Sequence, residues 1–538
     1  MVASKGKISP PAPPVNGRRG QPATYQTRIS DFADMDRASG NKLLSAYADR
    51  YCGIQRRLFA DVAAGRSAVS LKPEYLRRYR IPARMFNAVR VSLEGKVASV
   101  REQQLLRRDE LLGQIARAQD RMAQEQTTQA GEGARGDWLH QKRRRLEKLR
   151  GRLERLELDI QAGRIRLCFG SRRLWRKQHN LEANGYSCHE KWLSDWRSAR
   201  SDEFFVLGSK DETAGCQLCV ALVADDGSLT LRLRLPDCLA GEQGKYLVIP
   251  GVRFKYGHEQ VLAALDSNAE YGACRRRHGE KAARQSGLGQ AVSYRFKRDA
   301  RGWRVFLTTA LTKAPVVTDR SRGAIGVDLN ADHLAVSETD ASGNPVNCFS
   351  VPLVTYGKSR RQAEAIIGDA VADVVAHARE VGKPIVLEKL DFRQKKAGLE
   401  GASPRYSRML SSFSYARIKA CFLSRGIRQG VEVYQVNPAF SSVIGRVKFM
   451  ERYGLSAHQA AALALARRFL GCSEGIPRLR VAPLGNGVRV AFSVPARKRV
   501  KHVWTLWGCV LGQLRPVLAA QYRLGKRRRR PNPVRAPA

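Results

Sequence analysis

The sequence predicts a multidomain α+β and α/β protein, with a helical lobe, a β-barrel domain and a C-terminal α/β domain. Three observations predict it. The chain has 538 residues, more than one hydrophobic core accommodates. Its texture changes twice: long basic helical runs give way to short strands near Arg164, and strands alternate with helices from Ala324. Hydrophobic residues make up 43% of the chain, enough apolar material for several cores.

Charge narrows the partner. Lys and Arg number 95 against 49 Asp and Glu, a formal net charge of +46. Such an excess repels itself in a compact state and calls for a polyanion, so nucleic acid is expected. The N-terminal stretch has no apolar segment of the signal-peptide kind, and no run reaches the roughly 20 apolar residues of a membrane span. No membrane partner is expected. The eleven cysteines are scattered, as in reduced cytoplasmic proteins. Cys216 and Cys219 form a lone C-x2-C that lacks the second ligand pair of a structural zinc site, which Cys188 and His189 could in principle supply.

Residues 1–23 read as a disordered basic arm, and "TYQTRI" as a first short strand. A helix follows from Ser39, its expected cap, to Gly65. Two longer helices, Ala83–Gln126 and Asp137–Gln161, flank "AGEGARG". Leu105, Leu111, Leu112, Ile115 and Met122 recur at near-helical spacing in the first, as do Leu139, Leu146, Leu149, Leu153 and Leu156 in the second. The pair is expected to form an antiparallel hairpin with one apolar seam and basic outer faces.

Residues 164–318 carry short strand-like runs: "RIRLCFG", "EFFVLGS", "QLCVALVA", "LTLRLRLP", "YLVIPGVRF", "AVSYRFKRD" and "WRVFLTTAL". Turn signals between them suggest a barrel or a strongly curved sheet. Within this part "SRRLWRKQHNLEANGY" supplies Arg172, Arg173, Lys177, Gln178, Asn180 and Asn184, side-chain types that contact phosphates and base edges. It reads equally well as a basic surface helix. Residues 525–538, "GKRRRRPNPVRAPA", read as a disordered cationic tail able to strengthen non-specific binding.

From Ala324 the order is three strands, a helix, a strand, a helix, a strand and a last helix. That is the order of the RNase H-like (RuvC) fold, in which the first and fourth strands are neighbours. Asp328 ends the first, "AIGVDLN", and Glu388 ends the fourth, "PIVLEKLDF". On adjacent parallel strands the two acids converge where such sheets place their ligand sites. Facing carboxylates repel unless cations neutralise them, and hard oxygen donors suit Mg²⁺ or Mn²⁺. Two such ions about 3.5–4 Å apart support phosphodiester hydrolysis. His458, just after the expected cap Ser456 of the last helix, is the candidate third ligand or general base.

The segments "IGVDLNADHLAV", "IVLEKLDF", "VEVYQVNPAFSSVIG" and "GLSAHQAAALALARR" resemble the three RuvC segments of TnpB, the transposon-encoded relative of small type V CRISPR effectors. The resemblance spans about residues 323–471. It implies that residues 24–163 hold the first wedge strand and a helical recognition lobe, 164–318 a wedge β-barrel and 319–524 the RuvC domain. It also implies an RNA-guided DNA endonuclease in a bacterial cytoplasm, associated with the nucleoid. A structured guide RNA pairs with the target double-stranded DNA, and the protein reads only a short adjacent motif. Two features depart from the family: His458 stands where an aspartate is usual, and only Cys421 lies where two C-x2-C pairs are usual. These departures open a second expectation, an RNA-guided binding protein with an impaired nuclease that acts like a repressor. A stand-alone RuvC-like resolvase or transposase would leave the large preceding regions unexplained.

Overall fold

The computed structural model describes residues 22–126, 132–212, 214–241, 244–311, 313–330, 332–389, 412–485, 488–495 and 503–528, with Pro14. The expected basic arm lies outside these residues except for Pro14, Pro22 and Ala23, and so does residues 529–538 of the expected tail. Two compact units divide the chain, one spanning Pro22–Leu311 and the other beginning at Thr312.

The first unit opens with β1 (Pro22–Arg28), α1 (Arg37–Ala63), α2 (Lys72–Tyr79), α3 (Ala83–Gln126) and α4 (Glu132–Gln161). Asp36, not Ser39, caps α1, its carboxylate accepting from the backbone N–H groups of Ala38 and Ser39. An acid there satisfies otherwise unpaired donors and also meets the positive end of the helix dipole. Helices α3 and α4 pack along the expected seam, with Leu111, Ile115, Leu146 and Leu149 buried and Met122, Leu153 and Leu156 beside them. Leu105 and Leu112, expected in that seam, are exposed instead.

The unit continues with α5 (Arg172–Lys177), α6 (His189–Ala199), β2 (Glu203–Val206), β3 (Cys219–Val223), β4 (Leu229–Arg234), β5 (Tyr246–Val252), α7 (His258–Gln285), β6 (Ser293–Asp299) and β7 (Gly302–Ala310). Among the described residues no sheet closes into the expected barrel. The strands make two open antiparallel sheets, ordered β1-β7-β6-β2 and β3-β4-β5. Closure needs a continuous stagger of paired strands, and among the described residues the four-residue β2 and five-residue β3 pair only with β6 and β4 respectively. "RIRLCFG" is irregular, not a strand, and α7 stands where no helix was expected.

The second unit holds β8 (Ile325–Leu329), β9 (His333–Thr339), β10 (Pro345–Pro352), α8 (Arg360–Val381), β11 (Ile385–Glu388), α9 (Ser412–Gln429), β12 (Val433–Val436), α10 (Ser441–Lys448), α11 (Met450–Tyr453), α12 (Ala457–Leu470), β13 (Val481–Gly485), β14 (Val488–Ala491) and α13 (Val503–Arg528). Helix α13 runs through residues 525–528, the start of the expected tail. The main sheet is ordered β10-β9-β8-β11-β12, so the first and fourth strands of this unit are neighbours. They are parallel, with Ile325 opposite Ile385 and Val327 opposite Leu387. This is the RNase H-like arrangement that the element order predicts.

Alternation assigns the two faces of this sheet. Ile325, Val327, Ile385, Leu387 and Val433 face the apolar sides of α8 and α9, against Val371, Val374, Ile418 and Phe422. Val386 faces α12, packing with Ala466 and Phe469. Gly326 lets α12 lie directly on the sheet, because a Cβ there would stand 2.0 Å from the Ala462 carbonyl oxygen. On the other side of the helix, a Cβ at Gly445 of α10 would stand 2.5 Å from the Ala460 carbonyl carbon. The α12 backbone is thus approached closely on two sides, each time at a glycine of the neighbouring element. Gly326→Ala is expected to cost about 1–3 kcal/mol, the range for overpacking. Chemical denaturation measures it, and an unchanged midpoint would mean that the helix shifts freely.

Candidate active site

Asp328 and Glu388 meet by strand register. The pairing of Val327 with Leu387 puts the two acids at the next matched position of β8 and β11, at their carboxyl ends. Adjacent strands lie about 4.8 Å apart, and equivalent residues of parallel strands point to one face. That face is the α12 side, shared with Gly326 and Val386. Asp328 is 8% exposed and Glu388 7%. The Tyr415 hydroxyl of α9 donates to the Glu388 backbone carbonyl at 2.6 Å, pinning the end of β11.

His458 comes to the same place from the first turn of α12. Ser456 caps that helix as expected: its hydroxyl accepts from the Gln459 N–H, and the Gln459 side chain accepts from the Ser456 N–H. Ser337 of β9 donates to the Gln459 carbonyl at 2.7 Å, tying the first turn to the sheet. So held, His458 Nδ1 donates to Asp328 Oδ2 at 3.0 Å while the ring stays half-exposed.

Three further residues, absent from the sequence expectation, join the site through the β8–β9 hairpin. Asn330 Nδ2 donates to Asp328 Oδ2 at 3.0 Å, the same oxygen His458 uses, and lies 3.4 Å from His333 Nε2. His333 Nδ1 lies 2.7 Å from Asp332 Oδ1, and its ring meets that of His458 edge to face at 5.1 Å. Both hydrogen bonds to the Asp328 carboxylate fall on Oδ2. Oδ1 takes part in neither. The signal was present in "DLNADH": an amide and an imidazole spaced to fold back in a tight hairpin after the acid.

The hydrogen bond to Asp328 is the main reason that the His458 imidazole titrates above its ordinary range, against the opposing pull of burial. With a folded value above the unfolded value of about 6.5, the protonated pair contributes its full stability below about pH 6.5. That contribution is lost as pH rises through the folded value. Nuclear magnetic resonance titration of the metal-free protein is expected to show the elevated midpoint. In Asp328→Ala it should fall back towards the ordinary value, and a midpoint indifferent to the substitution would contradict the pairing.

Two buried carboxylates at one register position fit a hard divalent cation by donor chemistry. No group of three or more His, Cys, Asp and Glu side chains among the described residues is gathered closely enough to hold a metal ion. The pair therefore carries the fit, and His458 stands as a hydrogen-bond partner of one of its members. Cys216 and Cys219 are buried thiols whose titration burial pushes up, to about 12 for Cys216. They belong to the core of the first unit.

The stretch from Ser171 to Tyr186 forms α5, capped by the Ser171 hydroxyl, followed by a single 3-10 turn at Glu182–Asn184. Arg172 and Arg173 are exposed. Lys177 lies over the Tyr186 ring, and Gln178 ends α5. Asn180 and Asn184 are spent on the turn itself, Asn184 Nδ2 donating to the Asn180 carbonyl at 2.6 Å. No helix among the described residues is long and apolar enough to cross a membrane.

No protein-family model and no curated protein matches the sequence. Solved structures are similar over parts of it. T. thermophilus RuvC in complex with a Holliday junction substrate is 16% identical, covering 28% of this chain and 93% of its own, with a TM-score of 0.21. A CRISPR–Cas12f ternary complex is 10% identical over 82% of this chain and 98% of that one, at 0.19. A Cas12i–crRNA–dsDNA complex is 9% identical over 67% and 58%, at 0.25. TM-scores this low carry no weight, so the site is read from strand register and side-chain geometry.

Proposed function

We propose that the protein is an RNA-guided DNA endonuclease of the RuvC type, related to TnpB and the small type V effectors. The observation that carries the proposal is the juxtaposition of buried Asp328 and Glu388 at matched ends of parallel β8 and β11, beneath the first turn of α12. A net charge of +46 supports an RNA and a target double-stranded DNA as partners. Asp328 and Glu388 would hold Mg²⁺ or Mn²⁺, one ion or a pair, which supplies charge neutralisation and an activated water for phosphodiester hydrolysis. Asn330 and His458 fix the Asp328 carboxylate through Oδ2. With Nδ1 engaged, His458 presents Nε2 as the atom that takes or gives a proton. The long α3–α4 hairpin would clamp the bound RNA–DNA hybrid by its basic faces.

One observation favours a second reading. The third corner of the site is a histidine paired with the first acid, and no third carboxylate joins them among the described residues. On that reading the protein binds its target under RNA guidance and cuts poorly or not at all. Purification from cells carrying the native locus, sequencing of bound RNA, and incubation with a guide-matched plasmid in Mg²⁺ or Mn²⁺ separate the two. Cutting of the matched plasmid alone is expected. Target binding without cutting in either metal would establish the second reading, and absence of bound RNA would overturn both.

A further inference from the structure

The α5–α6 segment contains an aromatic assembly that the proposed cleavage site does not use. Trp192 and Trp196 of α6 are buried, at 2% and 7% exposure, with their rings parallel within 9° and 6.1 Å apart. Trp175 of α5 rests on both, at 6.0 and 5.2 Å, yet is 44% exposed. The stack is fixed from below and from the side. The Trp192 indole N–H donates to the Leu174 carbonyl at 2.9 Å, locking α6 to α5 beside Trp175. The Arg200 guanidinium lies over the Trp196 ring. Gly170, at φ +90°, leaves room for Trp196, whose ring would stand 3.2 Å from any Cβ there. Arg172, Arg173 and Arg176 of the same short helix are exposed, Arg172 donating to the Arg166 backbone carbonyl.

A lone surface tryptophan ordinarily exposes a mobile ring. Here two buried indoles hold the third in one orientation, so the entropy of ordering it is already spent when a ligand arrives. Nearby guanidinium groups suit a ligand that carries phosphates on either side of a flat ring. That chemistry is an unpaired nucleotide, because stacking on an aromatic ring accepts any base and needs one not stacked in a duplex. RNA offers such bases in its loops and ends, whereas duplex DNA offers them only after strand opening.

We infer that Trp175, backed by Trp192 and Trp196, is a stacking platform for an unpaired base of the bound RNA, whose flanking phosphates are held by Arg172, Arg173 and Arg176. The inference deepens the proposed function, resting on its RNA partner but not on cleavage. Its test is direct binding of the full-length protein, stripped of nucleic acid by high salt, to a labelled 15-nucleotide oligo-uridine, read by anisotropy.

Trp175→Ala is expected to weaken binding about tenfold, within the roughly 5- to 150-fold that one stacked base is worth. Trp175→Phe should restore most of it. A blunt RNA duplex with no unpaired base should bind both variants as it binds the parent protein. Arg173→Ala should weaken single strand and duplex together and reduce the salt slope. Unchanged oligo-uridine binding by Trp175→Ala, its tight folding verified by circular dichroism, would overturn the platform. So would equal losses on single strand and duplex, and a loss seen with oligo-deoxythymidine alone would overturn the assignment to RNA. Loss of cutting by Asp328→Ala with this binding intact would separate the two sites.

Discussion

Asp328→Ala and Glu388→Ala are each expected to lower metal-dependent cleavage of a guide-matched plasmid by about 10³-fold or more. Each removes one of the two carboxylates proposed to hold a cation, whose charge stabilisation is worth several kcal/mol. Folding should survive. A second readout follows. Saturating Mn²⁺ should stabilise the parent protein against thermal unfolding, by about 2.7 kcal/mol at a hundred times the dissociation constant, and should stabilise neither variant. Cleavage that persists in both variants, or Mn²⁺ stabilisation indifferent to both, would remove the pair from the chemistry.

Glu338→Ala is expected to be among the most destabilising single changes in the second unit, at about 3–5 kcal/mol. Glu338 of β9 is 5% exposed and accepts from Lys383 Nζ at 2.5 Å, while His377 Nε2 of α8 lies 3.0 Å away. Lys383 is itself 9% exposed. Without the carboxylate its ammonium is left buried and uncompensated, which is where the penalty comes from. The double replacement Glu338→Leu with Lys383→Met should recover most of the loss, since apolar groups of similar volume commonly equal a buried ion pair in stability. Denaturant unfolding of the parent protein and the two variants measures this. A Glu338→Ala cost under 1 kcal/mol would show that water reaches Lys383.

How far the sequence foretells the molecule differs between its halves for physical reasons. In the second unit β8 and β11 are short buried apolar runs and α8 an amphipathic helix, so element order places Asp328 beside Glu388, while α10, α11, β13, β14 and α13 go unforeseen. Ser456 is legible as a cap by its spacing to Gln459. In the first unit, strand-like alternation is ambiguous. "RIRLCFG" alternates but makes no ladder, and whether a sheet closes depends on non-local pairing that no local pattern carries. Helix α7 escapes notice because its buried side includes Asn268 and Gly272 among Val261, Ala264, Leu265 and Tyr271, which blurs the apolar stripe. Asn330 and His333 act only through a hairpin that brings them back onto Asp328, a contact invisible until the turn is built.

The hydrogen bond between His458 and Asp328 joins residues 130 positions apart, and that separation has a consequence for biosynthesis. Parallel strand pairing and late helix docking are non-local contacts, among the slow steps of folding. At roughly 5–20 residues per second, translation needs about 6–26 s to pass from the first acid to the histidine. Throughout that interval a nascent chain bears a basic surface able to capture nucleic acid, but its carboxylates have no completed pocket. Under the proposed function, a polyanion meets the basic surface of the nascent chain before the Asp328–His458 pair is complete.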